Sequence, residues 1–118
     1  MNLFKSLFGN DGNANSVLSV AEAKIRIERG DALFILDVRQ PEEFRHGHIA
    51  GAKLIPLGEL RKRLPELPTD QDILCVCESG SRSGVATRQL TGAGYKAINL
   101  QGGIARWQSA GYAIKKGK

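Results

Sequence analysis

A cysteine followed by a loop of small residues offers the clearest chemistry in this sequence. Cys77 ends an apolar run at residues 73–77. The residues between it and the next predicted helix are Glu78, Ser79, Gly80, Ser81, Arg82 and Ser83. Glycine and serine let such a loop curl until several backbone N–H groups point inward, with a helix N-terminus behind them. Because these donors stabilise an anion, we predict a Cys77 thiol of lowered pKa that is nucleophilic at neutral pH.

Two charged residues of this loop would act on the sulfur in opposite directions. Arg82 adds positive charge and favours the thiolate if its side chain faces inward. Glu78 disfavours the thiolate if its side chain faces the same way. The sequence leaves both orientations open.

The second cysteine, Cys75, lies in mid-strand and is predicted to be a buried core thiol without a catalytic role. A redox pair with Cys77 is disfavoured, because residues two apart in a strand are separated by about 6.6 Å, near the limit for a disulfide. A zinc site that adds His46 and His48 is disfavoured too, because a buried strand cannot wrap a metal as C-x-x-C turns do. We expect no metal ligand.

Apolar runs and breaker residues predict alternating strands and helices. Helices are predicted from the capping box at residues 19–22 to Gly30, and at residues 41–45, 58–63, 84–93 and 103–110. Strands are predicted at residues 33–36, 53–56, 73–77 and 96–100. Continuous apolar strands between helices indicate a parallel sheet in an α/β fold. Such sheets bind ligands beyond the carboxyl ends of their strands, where residues 37–39 and 77–83 both fall.

One domain accounts for most of the chain. Its 118 residues, 42% hydrophobic and 25% charged, are typical of a globular protein of that size. We predict an N-terminal arm and flexible linker at residues 1–16, the domain at 17–114 and a basic tail at 115–118. The net charge of +5 comes mostly from the tail, since residues 17–114 hold 13 basic and 11 acidic residues. With only 6% aromatic residues besides, no nucleic-acid partner is expected.

The N-terminal arm carries an apolar helical face made of Leu3, Phe4, Leu7 and Phe8. This face would dock on the domain or on a partner. It is too short and too weakly basic for firm membrane association. The first eight residues also lack the apolar core of a secretory signal, and a cytoplasmic location is expected.

Motifs on both sides of the cysteine loop resemble those of the rhodanese family of sulfurtransferases. The family's N-terminal motif is matched by DVR at residues 37–39, PEEF at 41–44 and GHIAGA at 47–52. Its C-terminal motif is matched by GG at residues 102–103, Trp107 and GY at 111–112. The resemblance extends over about residues 17–112. Three ordered motifs around one cysteine loop are far more specific than the loop alone.

This resemblance implies a rhodanese-like α/β fold, with a five-stranded, mainly parallel sheet and helices on both faces. It implies that Cys77 forms a persulfide and that residues 78–83 form the cradle that binds the substrate. Supporting roles near the site are implied for Asp37, Arg39, Glu43 and His48. No metal or organic cofactor is implied.

The leading hypothesis is a single-domain sulfurtransferase. It would move a sulfane sulfur from a donor such as thiosulfate or a persulfide to a thiol, to cyanide or to a protein acceptor. The alternative is a sulfur-relay or binding module with little turnover of its own. A phosphatase or arsenate reductase is less favoured, because phosphatases that resemble this family place five residues between cysteine and arginine. Only four residues separate Cys77 from Arg82.

Glu78 departs from the family pattern. Members that favour thiosulfate often carry a basic residue directly after the cysteine, where this chain has Glu78. A carboxylate that faced the pocket would repel a dianion. Thiosulfate itself is therefore less favoured than sulfur transfer in general.

Overall fold

A parallel five-stranded sheet forms the centre of the computed structural model, which describes residues 16–118. Residues 1–15 of the arm and linker predicted at residues 1–16 lie outside the described residues. The strands are β1 (Val17–Leu18), β2 (Leu33–Asp37), β3 (Lys53–Leu54), β4 (Asp72–Val76) and β5 (Ala97–Leu100). Their order across the sheet is β1-β5-β4-β2-β3, and every neighbouring pair is parallel. The predicted α/β fold is confirmed.

Helices cover both faces of this sheet. They are α1 (Val20–Glu28), α2 (Pro41–His46), a 3₁₀ segment (Leu57–Glu66), α3 (Ser81–Gly92) and α4 (Gly103–Ser109). One buried cluster joins the sheet to α3 and the 3₁₀ segment, and a second joins it to α1 and α4. Within residues 16–118 no helix has the length and apolar character that crossing a membrane requires.

The central strand β4 supplies both clusters by alternation, as a strand covered on both faces must. Ile73 and Cys75 pack toward Leu90 of α3. Leu74 packs on the opposite face toward Ile104 of α4. All five of these residues are fully or almost fully removed from solvent. The end of β4 is therefore held from both sides, which fixes the position of the residue that follows it.

The capping box predicted at the start of α1 is present. The Glu22 backbone N–H donates to Ser19 Oγ at 3.1 Å, and the Ser19 N–H donates to Glu22 Oε1 at 2.9 Å. Two N–H groups that the helix itself cannot satisfy are thereby bonded.

Three elements differ most from their prediction. The 3₁₀ segment runs through Pro65 instead of ending before it. Its backbone kinks at Arg63 (φ −113°, ψ 17°), so Pro65 lies in the first turn of a second short helix. A proline is tolerated there because the N–H that it lacks has no partner in a first turn. Helix α3 begins at Ser81, three residues before the predicted start at Gly84, so part of the cysteine loop is helical. Strand β1 was not predicted at all.

The predicted basic tail is partly bonded to the domain. The backbones of His48 and Lys115 exchange two hydrogen bonds, at 2.9 and 2.8 Å, and the Gly117 N–H donates to the Arg45 carbonyl at 2.8 Å. The three lysine side chains of this segment are exposed. Its charges thus face solvent, while its backbone is bonded to α2 and to the segment that follows α2.

Candidate active site

Cys77 lies directly after β4, at the carboxyl edge of the sheet. Its neighbour Val76 is fixed by β2, since the Val38 N–H donates to the Val76 carbonyl at 2.9 Å. The Cys77 residue is 1% exposed, so its sulfur lies at the base of the loop and not on its surface. An ionised sulfur at this depth needs hydrogen-bond donors from the protein.

The loop supplies those donors. The Gly80 backbone N–H donates to Cys77 Sγ at 3.1 Å, and Ser83 Oγ lies 3.3 Å from the same sulfur. Gly80 has φ +105°, a left-handed conformation in which a side chain would be strained, and it immediately precedes α3. The positive φ lets the chain turn from the loop directly into α3, and the first turn of α3 adds its partial positive charge.

Hydrogen bonding outweighs burial at this sulfur. Burial by itself raises the pKa of the Cys77 thiol. The Ser83 hydroxyl, which can turn its hydrogen toward a thiolate, and the backbone N–H groups of Ser83, Gly80 and Ser79 lower it by more. The net pKa of Cys77 lies below its ordinary value, the condition for a nucleophile at neutral pH.

The two cysteines of the chain differ sharply in their protonation. Cys75 is fully buried, and burial raises its pKa to about 12. Both residues are free thiols. Cys75 therefore stays protonated and inert under conditions in which Cys77 ionises.

Helix α4 supports the loop from beneath. The Ile104 N–H donates to the Cys77 carbonyl at 2.9 Å, and the Ala105 N–H donates to the Glu78 carbonyl at 3.0 Å. Gly103 has φ +60°, and a Cβ at this position would overlap the Cys77 carbonyl oxygen and come within 2.6 Å of the Glu78 carbonyl carbon. A glycine is required here because the two backbones touch.

Arg82 is held by a carboxylate across the site. Its guanidinium donates to both oxygens of Glu43 in α2, at 2.8 and 2.9 Å. This pairing is the main reason that the pKa of Glu43 falls to about 2, and burial acts against it. The pair joins α2 to the start of α3. Because the guanidinium of Arg82 is bonded to Glu43, its positive charge is partly neutralised and it is not free to turn toward the sulfur.

A buried ion pair lies beneath the mouth of the loop. Arg39 donates to Asp37 from Nε at 3.0 Å and from Nη2 at 2.8 Å, and its Nη2 also donates to the Gly47 carbonyl at 2.7 Å. Both residues are at most 2% exposed. Arg39 Nη1 also lies 3.6 Å from Glu78 Oε1, which draws that half-exposed carboxylate toward the site.

His48 contacts structural neighbours. Its ring stacks on Phe44 with centroids 3.6 Å apart, and its Nδ1 lies 2.7 Å from the Phe44 carbonyl oxygen. It is 2% exposed. This position ties α2 to the segment before β3, and no contact with the Cys77 sulfur is made. Among residues 16–118 no three His, Cys, Asp or Glu side chains converge in a way that could hold a metal ion.

A cleft of about 270 Å³ opens beside the loop. Glu78, Arg39, Glu43, His46 and Ile104 are among the residues that line it. The structure thus places three of the four predicted supporting residues in ion pairs near the loop: Asp37 pairs with Arg39, which reaches Glu78, and Glu43 pairs with Arg82. The fourth, His48, packs on Phe44 instead.

The sequence analysis missed Asn99. Its Oδ1 accepts from Ser83 Oγ at 2.6 Å, and its Nδ2 donates to the Gly80 carbonyl at 3.1 Å. The available signal was a polar residue between Ile98 and Leu100, inside an otherwise apolar strand. Such an interruption at the carboxyl edge of a parallel sheet marks a side chain with a polar partner.

The fold and the cysteine loop agree with the family motifs in the sequence, and comparison with known families identifies the class of protein. A family model described as the rhodanese-like domain matches residues 19–110. The chain belongs to this family, which confirms the resemblance found in its motifs.

Similar proteins come from several microorganisms. A Bacillus subtilis protein, YrkF, named provisionally as a sulfur carrier, is 40% identical over 98 residues, which cover 80% of this chain and 53% of YrkF. A protein of Allochromatium vinosum named sulfurtransferase is 34% identical over 90 residues, 75% of this chain and 84% of that protein. The crystal structure of a rhodanese-related protein from Thermoplasma volcanium superposes with a TM-score of 0.80 at 32% identity, covering 85% and 97% of the two chains.

The packing of Gly103 under the loop leads to a prediction with a matched control. Gly103→Ala and Gly111→Ala each place a side chain at positive φ, φ +60° and +81°, but only Gly103 has backbone within contact distance. Both variants should lose about 1–2 kcal/mol of unfolding free energy because of the left-handed conformation. Gly103→Ala should lose more, and its Cys77 should be alkylated more slowly at neutral pH, because the loop must move. Equal stability and equal alkylation rates in the two variants would contradict the contact described here.

Proposed function

We propose that the chain is a sulfurtransferase that carries sulfane sulfur on Cys77. The observation that supports this most strongly is the buried Cys77 sulfur with the Gly80 N–H at 3.1 Å and the Ser83 hydroxyl at 3.3 Å. The same donors that favour a thiolate also suit a persulfide, which carries its charge one atom farther out. The two unpaired thiols suit a reducing compartment, and we propose a cytoplasmic location.

The proposed reaction has two transfers. In the first, the Cys77 thiolate attacks the outer sulfur of the donor, a sulfur–sulfur bond forms, and the donor leaves with the electron pair of its broken bond. With thiosulfate the leaving group is sulfite. In the second, a thiolate, cyanide or a protein cysteine attacks the outer sulfur, and the Cys77 thiolate leaves. No external oxidant or reductant is consumed.

A relay module with little free-standing turnover is the second candidate. The name of YrkF describes a sulfur carrier, and this chain spans 53% of that protein. The partner would then be a protein that presents its own cysteine to the Cys77 persulfide. Both candidates need the same persulfide, so they differ only in the acceptor.

Intact-mass measurement tests the shared step. After incubation with thiosulfate or an organic persulfide, the wild-type protein should gain the mass of one sulfur atom and lose it again to cyanide or dithiothreitol. Cys77→Ser should gain nothing, because the bond-forming sulfur is absent. Equal labelling of the two proteins would overturn the assignment.

Cys75→Ala is the matched control for this measurement. It should label fully and keep most of the transfer rate, with only a modest loss of stability from a small cavity. If a folded Cys75→Ala protein cannot be labelled, the assignment of the chemistry to the Cys77 sulfur is wrong. Full labelling with negligible turnover to cyanide would favour the relay module over the free-standing enzyme.

Glu78 should set the preference between anionic and neutral donors. Its carboxylate lines the cleft beside the loop, held 3.6 Å from Arg39, and raises the negative potential that a dianion meets. Glu78→Gln should raise kcat/KM for thiosulfate several-fold, about 1 kcal/mol, and Glu78→Lys should raise it further. A neutral organic persulfide donor should show little change. The difference between donors should shrink as salt is added.

Glu28→Gln provides the control for net charge. Glu28 pairs with Lys24 on the surface of α1. Its substitution by glutamine removes one negative charge without changing any residue of the loop. It should leave both donors unchanged. Thiosulfate kinetics that stay at the wild-type level in Glu78→Lys would remove Glu78 from the account of specificity while leaving the role of Cys77 intact.

A further inference from the structure

The hydrogen bonds of Asn99 fix the direction of the Ser83 hydroxyl. The Gly80 carbonyl can only accept, so the group of Asn99 that faces it at 3.1 Å must be the Nδ2 amide donor. The other end of the side chain, Oδ1, then faces Ser83 Oγ at 2.6 Å, and an amide oxygen can only accept. Ser83 must therefore donate its one hydrogen to Asn99.

This assignment leaves no hydroxyl hydrogen for the neutral Cys77 thiol. Ser83 Oγ lies 3.3 Å from Cys77 Sγ, and with its hydrogen directed to Asn99 it presents a lone pair to the sulfur. The thiol S–H can donate to that lone pair. In the neutral state two hydrogen bonds therefore follow one another: the Cys77 S–H donates to Ser83 Oγ, and the Ser83 hydroxyl donates to Asn99 Oδ1.

We propose that Asn99 is a positioning residue that competes with the Cys77 thiolate for the Ser83 hydroxyl hydrogen. When the thiol ionises, its proton passes to solvent, and the hydrogen bond that the S–H group donated to Ser83 Oγ is lost. The hydroxyl then turns from Asn99 to the sulfur, so that one hydrogen bond is broken for the one that forms. The loop N–H groups keep their places throughout. Asn99 thereby limits the share of thiolate stabilisation that comes from the Ser83 hydroxyl.

The proposal rests on the proposed function only in taking Cys77 as the reactive thiol. Other titratable and charged groups face the site from several elements. They are Cys75 of β4, Asp37 and Arg39 at the end of β2, Glu43 of α2, Glu78 of the loop and Arg82 of α3. Cys75 is replaced in every protein of the cycle below, and all the others stay in place.

A double-mutant cycle on the Cys77 pKa tests the competition without any sulfur donor. The pKa is measured from the pH dependence of iodoacetamide alkylation in a Cys75→Ala background, so that one thiol reacts. Asn99→Ala alone removes both the competing acceptor and the anchor on the Gly80 carbonyl. In a Ser83→Ala background the same substitution removes only the hydrogen bond to the Gly80 carbonyl. The difference between the two shifts in the Cys77 pKa therefore measures the effect of the Ser83 hydroxyl.

We expect Asn99→Ala to shift the Cys77 pKa downward by about half a unit more in the Ser83 protein than in the Ser83→Ala background, the effect of one neutral hydrogen bond. About threefold more thiolate then forms at a pH well below the pKa. Thr87→Val is the matched control: it removes a hydroxyl of α3 that donates to the Ser83 carbonyl at 2.7 Å, and it should not couple to Asn99.

Equal shifts in the two backgrounds, or a difference of the opposite sign, would overturn the proposal. Coupling of the same size in the Thr87→Val cycle would overturn it too, because the effect would then be one of general packing. Circular dichroism and thermal melting establish that each variant is folded. Asn99→Val, whose β-branched side chain suits a strand and accepts no hydrogen bond, replaces Asn99→Ala if that protein does not fold. Failure of this cycle leaves persulfide formation on Cys77 unaffected, since mass spectrometry measures that separately.

Discussion

The structure around Cys77 answers one physical constraint. The residue is 1% exposed, yet the pKa of its thiol lies below the ordinary value, so its thiolate needs hydrogen-bond donors from the protein. Burial alone favours the neutral thiol, as Cys75 shows two residues earlier. At Cys77 the opposing contribution comes from the Ser83 hydroxyl and from the backbone N–H groups of Ser83, Gly80 and Ser79. Gly80 turns the chain into α3 at positive φ, and Gly103 lets α4 hold the loop from beneath. The end of β4 and these two glycines therefore act together to hold the loop in place around the Cys77 sulfur.

Local rules in the sequence predicted much of this arrangement. The capping box of Ser19 and Glu22 involves residues three apart, and the apolar run that forms β4 needs only its neighbours in the chain. The loop after Cys77 was recognised because glycine, serine and a following helix restrict what the backbone can do. The match of the family model to residues 19–110 confirms the same motifs over most of the domain.

Features that depend on distant partners could not be predicted in this way. Strand β1 has two residues, and it exists because Val17 and Leu18 pair with β5 some eighty positions later. The partner of Arg82 is Glu43, 39 positions away, and the role of Asn99 depends on a turn that brings Gly80 and Ser83 to it. Each requires the register of the sheet, which the sequence pattern does not contain.

The pH dependence of alkylation at Cys77, followed by mass spectrometry of its peptide, tests the central claim most directly. If the loop donors outweigh burial, the reaction should reach half its maximal rate at a pH below the value of about 8.5 that is usual for cysteine. The peptide of Cys75 should remain unmodified over the same range, because its pKa is about 12. A midpoint for Cys77 at or above that of free cysteine would contradict the account, since burial would then outweigh every donor that faces the sulfur.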